Sequence, residues 1–451
     1  MRLTMVILSA IVISVPLSGQ TLNTVAARFS LLGKPAIVSV DDLAFEMLRR
    51  FQHTDRGREA LRNLIDLELV HRAAADKGLT PSAAEARRWI AKLERQLESH
   101  GRNLSTLLSQ KSMTRKQFEE YASLIVAQER LVRETAELKE DEEVTSAMRS
   151  LWVKEARTRN KVITETKQLA PGQVARVGAR MLTDLDLGRF IVRSSDVEER
   201  RKYLRQIIVK RSLAARAKAH NIEVTDDDMQ HEVAARQRAV ENDPRMRGVP
   251  FAQVLESQGS SIEELRRSPV VRAQLQERKL VRELHPDEQL SQRLETDREA
   301  VLRHHGPRRK LQILFVAAPL TPEGTRDLDT AEQKCKRTRA LILDSISFSN
   351  AARRYSDDPY TKVSGGDSGW HHEKSLSPNT AIPAQIISAG FLLPLHEISA
   401  PIRSELGFYL LRVTEIEPAP PDIVLTDRMR EALRQKLRQK ILADAAIQFE
   451  Y

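Results

Sequence analysis

The residues with chemistry to offer cluster late in the chain. Asp357, Asp358 and Pro359 are followed closely by Ser364–His372, "SGGDSGWHH". Glycines at 365, 366 and 369 permit positive φ and a close approach of backbone. Asp358 before Pro359 is, by itself, an ordinary turn aspartate. Trp370 reads as a packing residue of the turn. Two histidine pairs, His304-His305 and His371-His372, carry a metal-ligand residue type. Adjacent side chains diverge in a strand or helix, and no cysteine or acid cluster surrounds either pair, so solvated histidines and no metal are expected. Cys335 is the single cysteine, which excludes an internal disulfide. It shares a helical face with Ala331 and Ile342 and reads as a buried thiol, not a nucleophile. No GxxxxGK[ST] phosphate cradle occurs, so no nucleotide cofactor is expected.

These residues need a scaffold, and the flanking sequence supplies one. "KLQILFVAA" is a continuous apolar run, as in a buried strand. A helix is expected from Thr330 to Ile346. Phe348, Ala351, Ala352 and Tyr355 then follow at helical spacing. After the glycine turn come an apolar helix around Ile386–Leu393, the short "HEIS" and the apolar strand "SELGFYLLRV". The order is strand, helix, helix, glycine turn, helix, strand, strand. Residues 306–417 therefore read as one α+β domain, bounded before by Gly306-Pro307.

The parts "ILFV", "FSNAARRYSDD", "GGDSGW", "EISAPI" and "GFYLLRV" resemble, in order and spacing, the parvulin family of peptidyl-prolyl isomerases. The resemblance implies a proline-binding cleft beside the glycine turn. It also implies a reaction that makes and breaks no bond. The barrier is amide resonance, about 18–20 kcal/mol, and needs neither metal nor nucleotide to lower it. The resemblance places Asp358 at the family's acid position and Ser404 at a family hydroxyl position. It places Gln312 and Tyr409 where the family carries a histidine pair, and Ser368 where it carries the leucine of "GGDLG". The aromatic that stacks on the substrate proline falls at Ile386, which has no ring. Leu314 and Phe391 are left to line the pocket. Gln312 and Tyr409 are expected to hydrogen-bond each other in place of the histidines. The resemblance thus implies catalytic candidates Asp358, Ser404, Gln312 and Tyr409, and substrate-binding candidates Leu314, Ile386 and Phe391.

The rest of the chain repeats itself. "LRNLIDLELVHRAAADKGLTPSAAE" from Leu61 parallels "LRQIIVKRSLAARAKAHNIEVTDDD" from Leu204. Each is an amphipathic helix ending at a residue able to turn left-handed, Gly78 or Asn221. Each restarts with a capping box, Ser82 with Glu85 and Thr225 with Asp228. Upstream, "LGKPAIVSVDDLAF" and "RVGARMLTDLDLGRF" both read as hairpins feeding a helix, and "LVRE" recurs at Leu131 and Leu280. Residues 32–152 and 174–304 read as a domain duplication joined by a linker at 153–173. These units resemble the chaperone part of SurA-, PrsA- and PpiD-type proteins. The terminal segment 424–451 is a long amphipathic helix with Thr426 or Asp427 as cap and a stripe of Met429, Leu433, Leu437 and Ile441. Such a stripe has to dock, and a helical unit is its expected partner. The fold class is multidomain α+β: two mainly helical units, a parvulin-like domain and a C-terminal helix.

Composition agrees with that class. Hydrophobic residues are 41% and charged residues 30% of the 451, with a net charge of +10. The basic residues are mixed with acids along many helices, and no aromatic-interleaved basic motif argues for nucleic acid. A basic surface is compatible with anionic lipid or acidic polypeptides. "MRLTMVILSAIVISVPLSGQ" reads as a secretory signal at 1–19, or an uncleaved anchor, and so as an address outside the cytoplasm. The expected function is a periplasmic or otherwise extracytoplasmic folding factor. Its partners would be unfolded or proline-containing polypeptides, outer-membrane proteins among them, and its isomerase activity weak or absent. The alternatives are a fully active isomerase and a non-catalytic envelope adaptor.

Overall fold

The computed structural model describes residues 25–110, 115–139, 142–322, 324–374 and 382–450. The expected signal segment, 1–19, lies outside them. A hairpin comes first, β1 (Val25–Leu31) and β2 (Lys34–Ser39). Leu32 and Gly33 turn it, both at positive φ, as a two-residue hairpin turn requires. Six helices follow: α1 (Val40–Phe51), α2 (Asp55–Asp76), α3 (Ala83–Glu98), α4 (Leu104–Gln110), α5 (Arg115–Thr135) and α6 (Ser146–Arg159). The pattern then restarts with the hairpin β3 (Gln173–Val177) and β4 (Arg180–Thr183). Eight helices come next: α7 (Asp184–Ser194), α8 (Val197–Ala219), α9 (Asp226–Glu241), α10 (Phe251–Ser257), α11 (Ile262–Arg267), α12 (Pro269–Leu284), α13 (Asp287–Thr296) and α14 (Arg298–His305). The last part holds β5 (Arg308–Ala317), α15 (Leu328–Asp344), α16 (Phe348–Tyr355), β6 (Asp367–His371), α17 (Ala384–Leu392), β7 (Ile402–Arg403), β8 (Gly407–Glu417), α18 (Asp422–Asp444) and β9 (Gln448–Phe449).

The stretches that parallel each other in sequence carry matching caps. Ser39 with Asp42 caps α1, and Thr183 with Asp186 caps α7, each as a reciprocal capping box straight after a hairpin. Ser82 with Glu85 and Thr225 with Asp228 do the same for α3 and α9. Each such cap contributes about 1 kcal/mol and fixes where its helix starts. Gly78 and Asn221 hold φ of +67° and +54° at the matching breaks before these caps.

The described residues form two compact units. Residues up to Glu223 rejoin the chain from Arg438 onward as one unit, and Val224–Leu437 are the other. The break falls inside the stretch expected as the second copy. Its hairpin and first two helices share the core of the first copy instead. There α1 and α7 cross so closely that a Cβ on Gly188 would stand 2.6 Å from the carbonyl oxygen of Ala44. Arg189 clamps Asp41 across the same crossing with two bonds of 2.7 and 2.8 Å. A satellite core joins α3, α4 and α5 through Ile90, Leu97, Leu104 and Phe118.

In the second unit, α9, α10 and α11 bury Val233, Phe251 and Leu255. α18 starts at Asp422, earlier than the expected cap. Thr426 lies within its first turns and donates its hydroxyl back to the Asp422 carbonyl at 2.9 Å, so it does not cap the helix. Leu425 and Met429 of α18 are buried against Leu290, Leu294 and Val301 of α13 and α14. Among the described residues no helix is long and apolar enough to cross a membrane.

Candidate functional site

The four-stranded sheet of the second unit runs β6-β5-β8-β7, antiparallel throughout. Side chains alternate across it, so the two faces bury different residues. Leu314, Val316, Phe408 and Leu410 meet Phe348, Ala351, Ala352 and Cys335 of α16 and α15. Leu311, Ile313, Tyr409, Leu411 and Val413 meet Ile386 and Ile387 of α17. Cys335 is buried as expected, beside Ala331. Burial first, with Glu332 nearby, pushes its thiol up to about 12, which makes it inert as a nucleophile.

The glycine stretch does more than turn: Asp367–His371 is β6, paired with β5. Gly366, at φ +85°, lies against β5 so that an added Cβ would come within 2.5 Å of the Ile313 carbonyl oxygen. The Gly366 carbonyl accepts the Ile313 N–H at 2.8 Å. Only a residue without a side chain fits both that dihedral and that approach.

Gln312 and Tyr409 do not form the expected hydrogen bond. In the β5–β8 register Phe315 faces Tyr409, and Gln312 faces Arg412. Gln312 therefore shares its face with Leu314, on the side of α16, and Tyr409 points to the other face. The Gln312 amide donates to Ser349 Oγ of α16 at 2.8 Å and to the Gly365 carbonyl at 3.4 Å. It ties the glycine turn to α16. Tyr409 instead meets Phe315, ring centroids 4.6 Å apart and planes at 31°. Burial, helped by the negative charge of Asp358, pushes the Tyr409 phenol up to about 12. It remains a protonated donor at physiological pH.

Asp358 has a structural task. Its carboxylate accepts from Thr361 N–H at 3.1 Å, from Tyr360 N–H at 3.4 Å and from the Thr361 hydroxyl. This shapes the turn that leads into the glycines, and leaves the charge within reach of Tyr409. Ser404 is buried and donates its hydroxyl to the Gly407 carbonyl at 2.9 Å, closing the turn into β8. Of the four catalytic candidates, only Asp358 and Tyr409 are thus electrostatically coupled.

The pocket candidates fare similarly. Leu314 is wholly buried on the α16 side, not on the Tyr409 face. Ile386, on α17, is wholly buried against the Tyr409 face of the sheet and offers no surface to a ligand. Phe391 is half-buried, with the Arg309 guanidinium 5.4 Å from its ring centre. The expectation of solvated histidines also needs correcting. His371 is buried, its Nε2 3.0 Å from Ser368 Oγ, because β6 carries it under the sheet edge. Trp370 is 38% exposed on β6, with Arg308 5.3 Å over its ring. Among the described residues no histidine, cysteine and acid group is arranged to hold a metal.

Sequence reasoning missed Phe315 and Ser356. Ser356 Oγ accepts the Phe315 N–H at 3.2 Å and the Asp358 N–H at 3.2 Å, joining the acid-bearing turn to β5. A buried serine just before two aspartates was a weak signal for such a joint. The partnership of Phe315 with Tyr409 depends on strand register, which the local pattern does not carry.

The rotamase family, a PPIC-type PPIase domain, matches residues 313–415. This segment is a parvulin domain. The match starts one residue after Gln312 and includes Asp358, Ser404 and Tyr409. The chain is 34% identical over 113 residues to the chaperone SurA of Saccharophagus degradans, covering 25% of this chain and 23% of that protein. Against the chaperone SurA of Xylella fastidiosa it is 27% identical over 217 residues, 48% of this chain and 44% of that one. The crystal structure of the peptidylprolyl isomerase PrsA from Bacillus anthracis aligns with 53% of this chain and 95% of its own, at 19% identity and a TM-score of 0.25. In the first two curated SurA relatives, the aligned part spans about a quarter of their length.

Proposed function

We propose that this protein is an extracytoplasmic folding factor that holds unfolded polypeptides without ATP. Its parvulin domain would bind proline-containing segments with weak or absent isomerase activity. The observation that carries the second half is the placement of Gln312 and Tyr409 on opposite faces of the sheet. A polar pair able to share a proton around a bound carbonyl is not assembled there. The Asp358 carboxylate is also committed to its own turn. What the Tyr409 face keeps is a protonated phenol and apolar neighbours, which suits binding more than a change of amide resonance.

The similarity to SurA chaperones supports the first half, and the repeated helical region is where an unfolded client would be held. Residues 1–19 are proposed as the export signal, with 306–417 as the isomerase-like domain. Outer-membrane proteins are proposed clients. Two assays run side by side test the reading: isomerisation of a proline-containing peptide, and suppression of aggregation of an unfolded β-rich protein. The account expects activity in the second and little in the first. Rapid isomerisation without protection from aggregation would replace it with a dedicated enzyme.

A further inference from the structure

We propose that the outer edge of β1 is a strand-addition site for an extended polypeptide, and that β9 of this chain fills it as an internal stand-in. The inference deepens the folding-factor reading and rests on it for what the clients are. β1 pairs with β2 along its length, from Val25 to Leu31. On its other side, among the described residues, only Ala27 and Arg28 pair with strand residues, Phe449 and Gln448 of β9. Two flanking bonds extend the contact. Glu450 N–H donates to the Ala26 carbonyl at 3.1 Å, and Ser30 N–H to the Ala445 carbonyl at 2.8 Å. Between α18 and β9 stands Ala446, at φ +43°. That is a left-handed conformation which a residue with a Cβ adopts at a cost. The docked segment is therefore short and reached through a strained joint, and these two features make it displaceable.

The side chains of the stand-in describe the occupant. Phe449 is half-buried against the core of its unit. The guanidinium groups of Arg201 and Arg205 stand 5.3 and 5.5 Å from its ring centre. Glu450 meets Arg28 at 2.8 Å. The site fits an extended segment with an aromatic side chain in the Phe449 position and an acid directly after it. Main-chain bonds supply affinity for any extended chain, and the aromatic slot under two arginines supplies the preference. An uncovered strand edge invites pairing with other chains, so self-occupation keeps the site shut until a better strand arrives.

The test uses fluorescently labelled AAIQFEY, the sequence of residues 445–451, as the probe. Three forms of the full protein are compared. One stops after Asp444. One carries Phe449→Ala and keeps every other residue, in case the shortened chain does not fold. One carries Arg28→Cys with Gln448→Cys, a directly opposed pair whose disulfide locks β9 in place. The shortened and Phe449→Ala forms should bind the probe at least about tenfold more tightly than wild type, measured by anisotropy. The locked form should bind none until it is reduced, and a probe with alanine for phenylalanine should bind about tenfold more weakly. Equal binding to the locked and opened forms, or binding to none, overturns the proposal. If wild type still protects an unfolded protein from aggregation in that case, the folding-factor reading survives alone. If the opened forms bind the probe but nothing protects, the edge site stands and the wider reading falls.

Discussion

The rings of Phe315 and Tyr409 meet across β5 and β8 with centroids 4.6 Å apart, on the face of the sheet that Gln312 does not share. Two polar residues expected to act together are separated by a layer of strand. The sheet has a period of two, and the register sets Gln312 against Arg412.

It follows that Gln312 and Tyr409 should behave independently. Gln312→Ala removes bonds to Ser349 and Gly365 and should cost about 1–2 kcal/mol. Combined with Tyr409→Phe, the losses should add to within about 0.5 kcal/mol in calorimetric unfolding. By the same reasoning, Gln312→His with Tyr409→His should isomerise a proline peptide no faster than the better single variant. A rate well above both singles would show that the two positions cooperate after all.

The glycine stretch offers a comparison within one turn. Gly366→Ala brings a Cβ against the Ile313 carbonyl at a positive φ and should lower stability by on the order of 2 kcal/mol or more. Gly369 has a similar φ, +81°, but open space around it. Gly369→Ala should therefore cost only the dihedral, about 1 kcal/mol. Equal losses in thermal unfolding would mean that the close approach at Gly366 carries no weight.

Placing a ring at the position of the missing aromatic should not rebuild a proline pocket. Ile386 is wholly buried between α17, which carries it, and the sheet, so Ile386→Phe overpacks that layer and should cost about 1–3 kcal/mol. Peptide affinity measured by titration should stay flat or fall. A gain in affinity with unchanged stability would show that position 386 reaches the ligand.

Acid should loosen the joint between α14 and the parvulin domain. His305 is half-buried beside His372, His304, Arg293 and Lys436, and burial first, then these neighbours, bring its imidazole down to about 4. His372 is lowered too, by burial and then by Arg428. In the unfolded chain the ring takes a proton near 6.5. The contribution is therefore whole above about pH 6.5 and is lost as pH falls toward about 4. Between pH 7.5 and pH 5, His305 should account for a loss on the order of 1 kcal/mol, discounted for its partial exposure. His305→Gln should show a correspondingly shallower fall in melting temperature. Identical slopes would remove His305 from the explanation.

Local signals were legible in the sequence. The caps at Ser82 and Thr225, the breaks at Gly78 and Asn221, the helices α15 to α17 and the strands β5 and β8 all rest on spacings of a few residues, where backbone chemistry decides. Long-range pairings were not. Nothing near Gln312 tells which residue of β8 faces it, and nothing near Phe449 tells that it will lie beside Ala27. The hairpin β3–β4 looked like the start of a separate body. Yet Gly188 of α7 packs on Ala44 of α1, a contact visible only once both helices have formed. His371 illustrates the same limit. Its neighbours read as a solvated turn, and strand pairing with β5 carries it under cover instead.

The central claim is that this protein protects unfolded chains while its parvulin domain turns proline bonds slowly. It is tested most directly by adding the full protein, without ATP, to one unfolded, proline-containing β-rich substrate. Light scattering and the proline-limited refolding phase are then followed together. The account predicts that scattering falls toward zero near equimolar protein while the slow phase keeps its uncatalysed time of roughly 10–100 s. Unchanged scattering with a slow phase accelerated at catalytic amounts of protein would contradict it.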